Sequence, residues 1–266
     1  MSKVSVIIPC YNHGEFLDEA VNSVLGQTLQ DFEIIIVNDG STDSTTINKI
    51  NAYDNSLIKV INIENSGVST ARNIGIENAK SPYILTLDAD DKIGNNYCKK
   101  GVEVLDNNLS VGIVYCQAGN FGKKEGKWDL PEFSMERMLS ANIIFSASFF
   151  RKADWKKVGG YNTNMVHGLE DYDFWLSILS LGRKVCQIPE IMFYYRMHKI
   201  KSNSRSKRMN DYQRIEAYQQ IFQNQKELYS KHVEVLFEMI KTLKNENLQL
   251  KENKLGKRFQ RLFKKS

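Results

Sequence analysis

Two aspartates separated by one residue stand at the end of a predicted strand. Asp88 and Asp90 flank Ala89 and directly follow the apolar residues 83–87. Carboxylates in this arrangement suit a hard divalent cation, which also accepts phosphate oxygens as ligands. Such a cation would neutralise the charge that builds on a departing diphosphate. For an Asp-x-Asp pattern on its own, a capped and solvated turn is an equally good interpretation.

Three further acidic residues and one histidine could also do chemistry. Asp39 follows another apolar run and could accept a hydrogen bond from a base N–H or a ribose hydroxyl, or could simply form a turn. Glu170 and Asp171 begin a predicted helix, where they could act as a general base or only favour the helix dipole. His198 could bind a metal or a phosphate, although a single histidine is more often structural.

The first third of the chain alternates between strand and helix patterns. Strands are predicted at residues 4–9, 32–37, 58–63 and 83–87, and helices at residues 15–25, 43–50 and 69–78. This order is typical of a doubly wound α/β sheet, in which ligands bind beyond the carboxyl ends of the strands. Each predicted strand is followed by polar residues, namely Tyr11, Asn12, Asp39, Asn65, Ser66, Asp88 and Asp90. Neither a dinucleotide fingerprint nor a P-loop is present, so a metal would have to hold any phosphate.

The second half of the chain is more mixed. Strands are predicted at residues 111–116, 143–151, 185–188 and 192–196, with a helix at residues 170–181. From about residue 202 onward, Gly and Pro vanish until Gly256, and polar residues dominate, which predicts one or two long helices. A seam in steps of four and three comprises Tyr229, Val233, Leu236, Ile240, Leu243, Asn247 and Leu250. Through residues 229–250 the chain could form a coiled-coil homo-oligomer, or this helix could pack on the rest of the chain.

The net charge of +5 is concentrated at the C-terminus. Residues 251–266 carry +6, which leaves −1 for residues 1–250. A nucleic-acid-binding body would be expected to carry its own basic face, so no nucleic-acid partner is predicted. Leu255, Phe259 and Leu262 form an apolar stripe among these cations, as in helices that lie on a membrane surface, although a frayed basic terminus is equally consistent.

Targeting signals and cysteine usage favour a cytoplasmic location. No stretch approaches the ~20 apolar residues that span a bilayer, and the N-terminal apolar run is interrupted by Pro9 and Asn12. The four cysteines form no Cys-x-x-Cys pair, which is typical of reduced thiols. With the basic tail, the expected place is the cytoplasm, peripherally at the inner face of the cell membrane.

Seven sequence blocks follow one another along the chain, namely residues 4–12, 23–28, 37–43, 67–73, 87–91, 159–161 and 170–175. Together they resemble family 2 glycosyltransferases, and the resemblance covers roughly residues 3–204. The resemblance implies a Rossmann-like α/β nucleotide-sugar transferase fold of the A type (GT-A), followed by a C-terminal helical extension. Residues 1–204 would be the catalytic domain, and residues 205–266 a helical or coiled-coil tail that ends in the basic amphipathic segment.

The resemblance also implies a role for each candidate residue. Asp171 would be the general base, with Glu170 beside it. The nucleotide would contact Pro9, Tyr11, Asn12, Asp39, Arg72, Asp88 and Ala89, with Asp39 reading the base. Asp90, Asp88 and His198 would bind the divalent cation, Mn²⁺ or Mg²⁺, with Asp90 as the better direct ligand. Residues 195–198, followed by Ser202 and Ser204, resemble the loop that closes over the diphosphate.

Two departures from the family pattern bear on the expected reaction. Asn38 stands where an aspartate is common, and the Gln-x-x-Arg-Trp signature of processive members is absent. The missing signature favours transfer of one sugar at a time, and the resemblance implies inversion, so the expectation is an inverting, non-processive hexosyl- or N-acetylhexosaminyltransferase. It would move a sugar from a UDP-sugar to a hydroxyl of a glycan or lipid-linked acceptor in cell-envelope polysaccharide synthesis. A nucleotide-sugar hydrolase and an inactive scaffold acting through the coiled coil are the alternatives.

Overall fold

The structure is a computed structural model that describes residues 2–198 and 209–263. Within the last helix, the side chains of Leu248 and of residues 250–263 are not described. The predicted boundary between residues 204 and 205, and the loop residues Ser202 and Ser204, lie outside the described residues. The side chains of the apolar stripe, Leu255, Phe259 and Leu262, also lie outside the described residues, as does the side chain of Leu250 in the seam.

The first third of the chain forms the predicted strand–helix alternation. Its elements are β1 (Val4–Cys10), α1 (Gly14–Leu25), β2 (Phe32–Asp39), α2 (Ser44–Asn51), β3 (Ile58–Ile63), α3 (Val68–Glu77) and β4 (Tyr83–Thr86). Strand β1 lies between β2 and β4 and is parallel to both, and β2 is parallel to β3. Asp43 caps α2, since its carboxylate accepts the Thr46 N–H at 2.8 Å. Gly75 inside α3 allows close packing, because a Cβ there would lie 2.4 Å from a methyl group of Ile7.

The remaining strands extend the same sheet. The elements are β5 (Lys92–Ile93), α4 (Tyr97–Asn107), β6 (Val111–Gly122), β7 (Gly126–Trp128), α5 (Met135–Ser140), β8 (Phe149–Arg151), α6 (Lys152–Val158), α7 (Glu170–Ser180) and β9 (Lys184–Met197). The strand order is β3-β2-β1-β4-β8-β6-β9-β5, and β7 pairs with β6. Because β8 is antiparallel to both β4 and β6, and β9 is parallel to β6, strands β4, β6 and β9 point the same way. Their carboxyl ends therefore meet at one edge.

One strand prediction in this half was too long, and two others merge into one strand. Residues 143–148 have an irregular backbone with bends, and only Phe149–Arg151 is a strand. Local bonds from Ser148 Oγ to Phe145 O and from Ile144 N to Asn142 Oδ1 replace ladder bonds there. The two predicted strands around Pro189 are one strand, β9. The pairing of β6 with β9 skips Pro189, which is tolerated where the ladder is irregular.

The chain ends in three described helices, α8 (Asp211–Asn224), α9 (Lys226–Lys231) and α10 (Val233–Phe263). Ile221, Leu228 and Tyr229 are buried in the same core as the sheet. Gln225, between α8 and α9, donates from its amide to Asp173 Oδ1 at 2.9 Å and to Ser177 Oγ at 2.7 Å. The helices up to residue 231 are thus integrated with α7.

The predicted seam does not lie on one helix. Tyr229 belongs to α9 and donates its hydroxyl to Leu139 O at 3.1 Å, so the seam's first position packs on the body of the protein. Val233, Ile240 and Leu243 on α10 are exposed, whereas Leu236 is half-buried. Self-association through residues 229–250 stays a prediction.

None of the described helices has both the length and the apolar character needed to span a membrane.

Asn73 on α3 ties the sheet to the segment that precedes α7. Its amide donates to Tyr161 O at 2.8 Å, and its Oδ1 accepts from Tyr161 N at 2.8 Å and Trp155 Nε1 at 3.0 Å. The neighbouring Gly160 has a φ of +85°, and a Cβ there would lie 2.7 Å from Asn73 Oδ1. The Gly-Gly-Tyr block therefore has a structural explanation.

Gly160→Ala should destabilise the protein by about 2–4 kcal/mol, since it combines left-handed backbone strain with displacement of the Asn73 side chain. Gly159→Ala is the matched control, because Gly159 has a φ of +82° but an added Cβ would meet nothing within 4 Å. Urea unfolding of both variants measures the difference. Equal losses of unfolding free energy would mean that the Asn73 contact contributes nothing beyond backbone strain.

Candidate active site

A buried arginine joins the two acidic motifs. Arg72 on α3 is 2% exposed, and its Nη1 lies 2.7 Å from Glu170 Oε1 while its Nη2 lies 2.8 Å from Asp88 Oδ1. Burial alone would lower the pKa of Arg72, but the charges of Asp88 and Glu170 outweigh burial and raise it. The guanidinium therefore stays charged and holds the strand end beside the start of α7.

Asp171 follows Glu170 in the chain, and the charges of Glu170 and Arg72 both affect its carboxyl group. Desolvation by burial, followed by the charge of Glu170, raises the pKa of Asp171 to about 7, and the charge of Arg72 opposes this rise. Its Oδ1 accepts the Tyr172 N–H at 2.8 Å. A carboxyl that ionises near neutral pH is suited to proton transfer, because it can accept a proton and release it again.

The local backbone geometry positions the carboxyl groups of Glu170 and Asp171. Leu169, immediately before α7, has a φ of +64°, a left-handed conformation that is rare for a leucine. The chain enters α7 through this residue, so Glu170 and Asp171 lie in the first helical turn, where the free N–H groups favour negative charge. Such strain persists only where the surrounding contacts hold it, and it is common at functional sites.

Asp90 lies between two histidines. His198 Nε2 is 2.8 Å from Asp90 Oδ2, and His13 Nδ1 is 3.9 Å from Asp90 Oδ1. The Phe16 ring lies against both imidazoles, with centroids 6.2 Å from His13 and 5.1 Å from His198. His13 was not among the predicted site residues, although its place after β1 could have marked it.

The predicted metal ligands are only partly assembled. Asp90 and His198 are in contact, whereas Asp88 is held by Arg72 and by Ser146 Oγ, which donates to Asp88 Oδ2 at 3.2 Å. Among the described residues, no three His, Cys, Asp or Glu side chains form a ready-made metal cluster. A carboxylate oxygen beside an imidazole nitrogen nevertheless fits Mn²⁺, with phosphate oxygens and water as its other ligands. Ser146 carried no signal in the sequence, because it was assigned to a strand.

Asp91 follows the Asp88-Ala89-Asp90 motif, and residues 88–91 together form the acidic turn. Asp91 is buried, and its Oδ1 accepts the Arg196 N–H at 2.8 Å, while Arg196 Nε donates to Asp90 O at 2.7 Å. Burial, followed by the charges of Asp90 and Asp88, raises the pKa of Asp91 well above its usual range. The contact with Arg196 fixes the end of β9, and hence His198, against the acidic turn.

Four of the predicted nucleotide-binding residues, Pro9, Tyr11, Asn12 and Asp39, lie at the carboxyl ends of β1 and β2. Asp39 is buried, and its two oxygens accept the N–H groups of Ser66 at 2.7 Å and Gly67 at 3.0 Å. Each carboxylate oxygen can accept a further hydrogen bond, so the predicted contact with a base or ribose is compatible with this arrangement. In the structure, Asp39 also orders the loop that begins α3.

Tyr11 and Asn12 occupy the loop after β1. Tyr11 is 45% exposed. Asn12 has a φ of +55°, and its Oδ1 accepts from Thr42 N at 2.8 Å, which joins this loop to the one after β2. Pro9 is half-buried and Ala89 is buried. Arg72 lies beneath this surface, in the ion pairs already described, and the nucleotide contacts of all these residues stay predictions.

The sequence model described as "Glycosyl transferase family 2" matches residues 5–166. The chain belongs to this family. The match covers β1 to β4, the Asp88-Ala89-Asp90 turn and the Gly-Gly-Tyr block, and it ends before Glu170. The resemblance inferred from seven sequence blocks is thereby confirmed.

Curated members of the family are similar to parts of the chain. Chondroitin synthase of Pasteurella multocida is 30% identical over 194 residues, which cover 69% of this chain and 20% of that protein. The uncharacterised glycosyltransferase EpsJ of Bacillus subtilis is 36% identical over 138 residues, 52% of this chain and 40% of that protein. The chain thus spans a fifth to two fifths of the length of these family 2 relatives.

Solved structures confirm the fold. S. aureus TarS residues 1–349 in complex with UDP-GlcNAc superposes with a TM-score of 0.70 at 20% identity, covering 84% of this chain and 66% of that one. A mannosyltransferase from Pyrobaculum calidifontis, in complex with GDP-Man and Mn²⁺, gives a TM-score of 0.59 at 18% identity, covering 75% and 58%. The predicted A-type glycosyltransferase fold with C-terminal helices is correct for this family 2 chain.

The raised pKa of Asp171 has a consequence for stability. A carboxyl whose pKa is higher in the folded protein makes the protein less stable as pH rises from about 4 to about 7. Asp171→Asn removes this ionisation. We therefore expect the variant to exceed the wild type by about 1–3 kcal/mol in unfolding free energy at pH 8, and by little at pH 4. Asp54→Asn, at an exposed site, is the control; a pH-independent difference for Asp171→Asn would contradict the raised pKa.

Proposed function

We propose that this chain transfers a sugar, with inversion of the anomeric centre, from a UDP-sugar to a hydroxyl group of a glycan or lipid-linked acceptor. The observation that carries the proposal is the linkage of a carboxyl poised near neutral pH, Asp171, to the Asp88-Ala89-Asp90 turn through Glu170 and Arg72. This linkage brings a candidate base and a candidate diphosphate site to one edge of the sheet.

Asp171 accepts the proton of the acceptor hydroxyl as its oxygen attacks the anomeric carbon. The bond from that carbon to the diphosphate oxygen breaks, and UDP leaves with the electron pair. A single in-line displacement with one base inverts the configuration. Arg72 holds Glu170 and Asp88 in a fixed relation, so the base and the leaving-group site keep their geometry.

Asp90, Asp88 and His198 would hold a divalent cation, Mn²⁺ or Mg²⁺. When bound, the cation supplies a positive charge that stabilises the departing diphosphate. Asp90 is the stronger candidate for direct coordination, because both oxygens of Asp88 already contact Arg72 and Ser146. Nucleotide-sugar donors are supported by the UDP-GlcNAc and GDP-Man that the TarS and mannosyltransferase structures contain.

We infer transfer of one sugar at a time, by a hexosyl- or N-acetylhexosaminyltransferase, in cell-envelope polysaccharide synthesis. Non-processive transfer is supported by the residues after Asp171, which lack the signature of processive members. The envelope role is supported by relatives named for chondroitin, hyaluronan and teichoic acid synthesis.

Asp171→Asn should abolish transfer while leaving UDP affinity within about twofold, because the amide keeps the shape but cannot accept the proton. Wild-type kcat/KM should rise with pH through about 7 and then level off. The assay follows UDP release from a panel of UDP-sugars, with and without oligosaccharide acceptors. Unchanged turnover in Asp171→Asn would remove its assignment as base, and rapid release that no acceptor accelerates would favour a hydrolase.

Asp90→Ala is compared with the wild type by calorimetric titration of UDP and GDP in the presence and absence of manganese. We expect UDP binding to the wild type to depend on manganese, and this dependence to be lost in the variant. Asp54→Asn should behave as the wild type in every assay. If neither nucleotide binds under any metal, an inactive scaffold becomes the better description.

The basic segment, residues 251–266, suggests a peripheral place at the inner face of the cell membrane. Its charge of +6 contrasts with the −1 of the preceding residues. Each basic residue near an anionic surface contributes about 1 kcal/mol of attraction. A lipid-linked acceptor would then lie close to the site.

Deletion of residues 251–266 should strongly reduce partitioning onto vesicles that contain phosphatidylglycerol, and added salt should weaken the binding of the full chain. Vesicles of phosphatidylcholine alone are the lipid control, and UDP affinity is the control for intact folding. Equal partitioning of the truncated and full chains would remove the basis for the membrane location.

A further inference from the structure

A cluster of aromatic side chains comes from β7, from β9 and from the irregular segment before β8. Phe145 and Phe193 are buried and stacked, with ring centroids 4.3 Å apart. The ring centroid of Trp128 is 6.3 Å from that of Phe145 and 5.5 Å from that of Tyr195. Trp128 and Tyr195 are only half-buried, so the cluster has a buried base and a partly open aromatic surface.

This surface is connected to both aspartates of the acidic turn. Phe145 precedes Ser146, whose hydroxyl donates to Asp88 Oδ2 at 3.2 Å. Tyr195 precedes Arg196, whose Nε donates to Asp90 O at 2.7 Å. Trp128 contacts the rings of Phe145 and Tyr195, so it packs on the two segments that hold the acidic turn. It is absent from the residues that sequence patterns pointed to.

The position of the cluster in the sheet separates it from the nucleoside. Asp39 and Tyr11 follow β2 and β1, on one side of β4, whereas Trp128 pairs with Ala118 of β6, on the other side. The acidic turn follows β4, between these two parts of the sheet. With the diphosphate at this turn, the nucleobase and the aromatic surface would lie at different ends of the site.

We propose that Trp128, supported by Tyr195 and Phe145, is the platform on which a sugar ring of the acceptor stacks; this rests on the proposed glycosyl transfer. A pyranose presents a face of C–H groups that packs on the negative face of an aromatic ring, while its hydroxyls point outward. Binding sites for small molecules combine such aromatic walls with a few polar groups. Here the polar groups would be those of the acidic turn, to which Ser146 and Arg196, the neighbours of Phe145 and Tyr195, are hydrogen-bonded. The acceptor is therefore a saccharide at its reacting end.

Tryptophan fluorescence gives a direct binding test. Of the three tryptophans, Trp155 and Trp175 are buried, so Trp128 is the one that acrylamide should quench efficiently. The probes are short oligosaccharides that end in glucose, galactose, N-acetylglucosamine or glucuronate. We expect at least one to protect Trp128 from quenching in the wild type, and UDP to leave quenching unchanged. Failure of every saccharide to protect Trp128, or protection by UDP instead, would overturn the proposal.

Kinetics then separate stacking from chemistry. With the protecting saccharide as acceptor, Trp128→Ala should raise the acceptor KM about tenfold and leave kcat within about threefold, because a binding contact is lost. Trp128→Phe keeps an aromatic face and should recover most of the affinity. UDP affinity, measured by calorimetric titration, is the control for an intact donor site. An acceptor KM within twofold of the wild-type value in Trp128→Ala would contradict the platform.

The two proposals fail in different ways. If the wild type releases no UDP from any UDP-sugar, glycosyl transfer is wrong, whatever the fluorescence shows. If transfer occurs but neither protection nor the acceptor KM depends on Trp128, the transfer reaction stands and the platform falls.

Discussion

The arrangement of the candidate site depends on one buried cation. Arg72 comes from α3, Asp88 from the end of β4 and Glu170 from the start of α7, and the guanidinium is the point at which these segments meet. Removing one partner of such a buried network leaves an uncompensated charge, which typically costs about 3–5 kcal/mol. The ion pairs are therefore a constraint on the fold as much as a feature of the site. The strained entry into α7 at Leu169 lies directly beside this constraint.

The electrostatics of Asp171 follow from the same arrangement. Burial and the charge of Glu170 favour its neutral form, whereas Arg72 favours the anion, and the balance leaves its pKa at about 7. Glu170 is engaged by Arg72, so the two adjacent carboxyls are not equivalent: Glu170 is paired with Arg72, whereas Asp171 has no ion-pair partner of its own in the described part of the chain. Two neighbouring carboxyls in different environments can in this way take different roles.

The sequence patterns predicted the structure best where strands and helices alternate along the chain. The alternation up to β4 was predicted from apolar periodicity, and the acidic residues at strand ends were found with it, because parallel strands present their carboxyl ends at one edge. Residues 143–148 were missed because an apolar run can be buried without being a strand, and Ser146 was missed with it. Trp128 carries no pattern of its own, because its significance depends on strand pairings between distant segments, whereas the place of His13 after β1 was a signal that was not used. The integration of Gln225 with Asp173 was hidden because it depends on the packing of helices that are distant in the sequence.

The choice of arginine at position 72 follows from the geometry. Its carboxylate partners, Asp88 and Glu170, are engaged by different nitrogens of one planar group, at 2.8 Å and 2.7 Å. A lysine offers a single ammonium on a flexible stem, and it loses its charge readily when buried. The ring of Tyr161, 5.4 Å from the guanidinium carbon, covers one face of the plane, and Tyr161 is itself held by Asn73, the next residue of α3. Consecutive residues of one helix therefore fix the two sides of the segment that leads into α7. Arg72 holds Glu170 through an ion pair, and Asn73 holds the backbone of Tyr161 through hydrogen bonds.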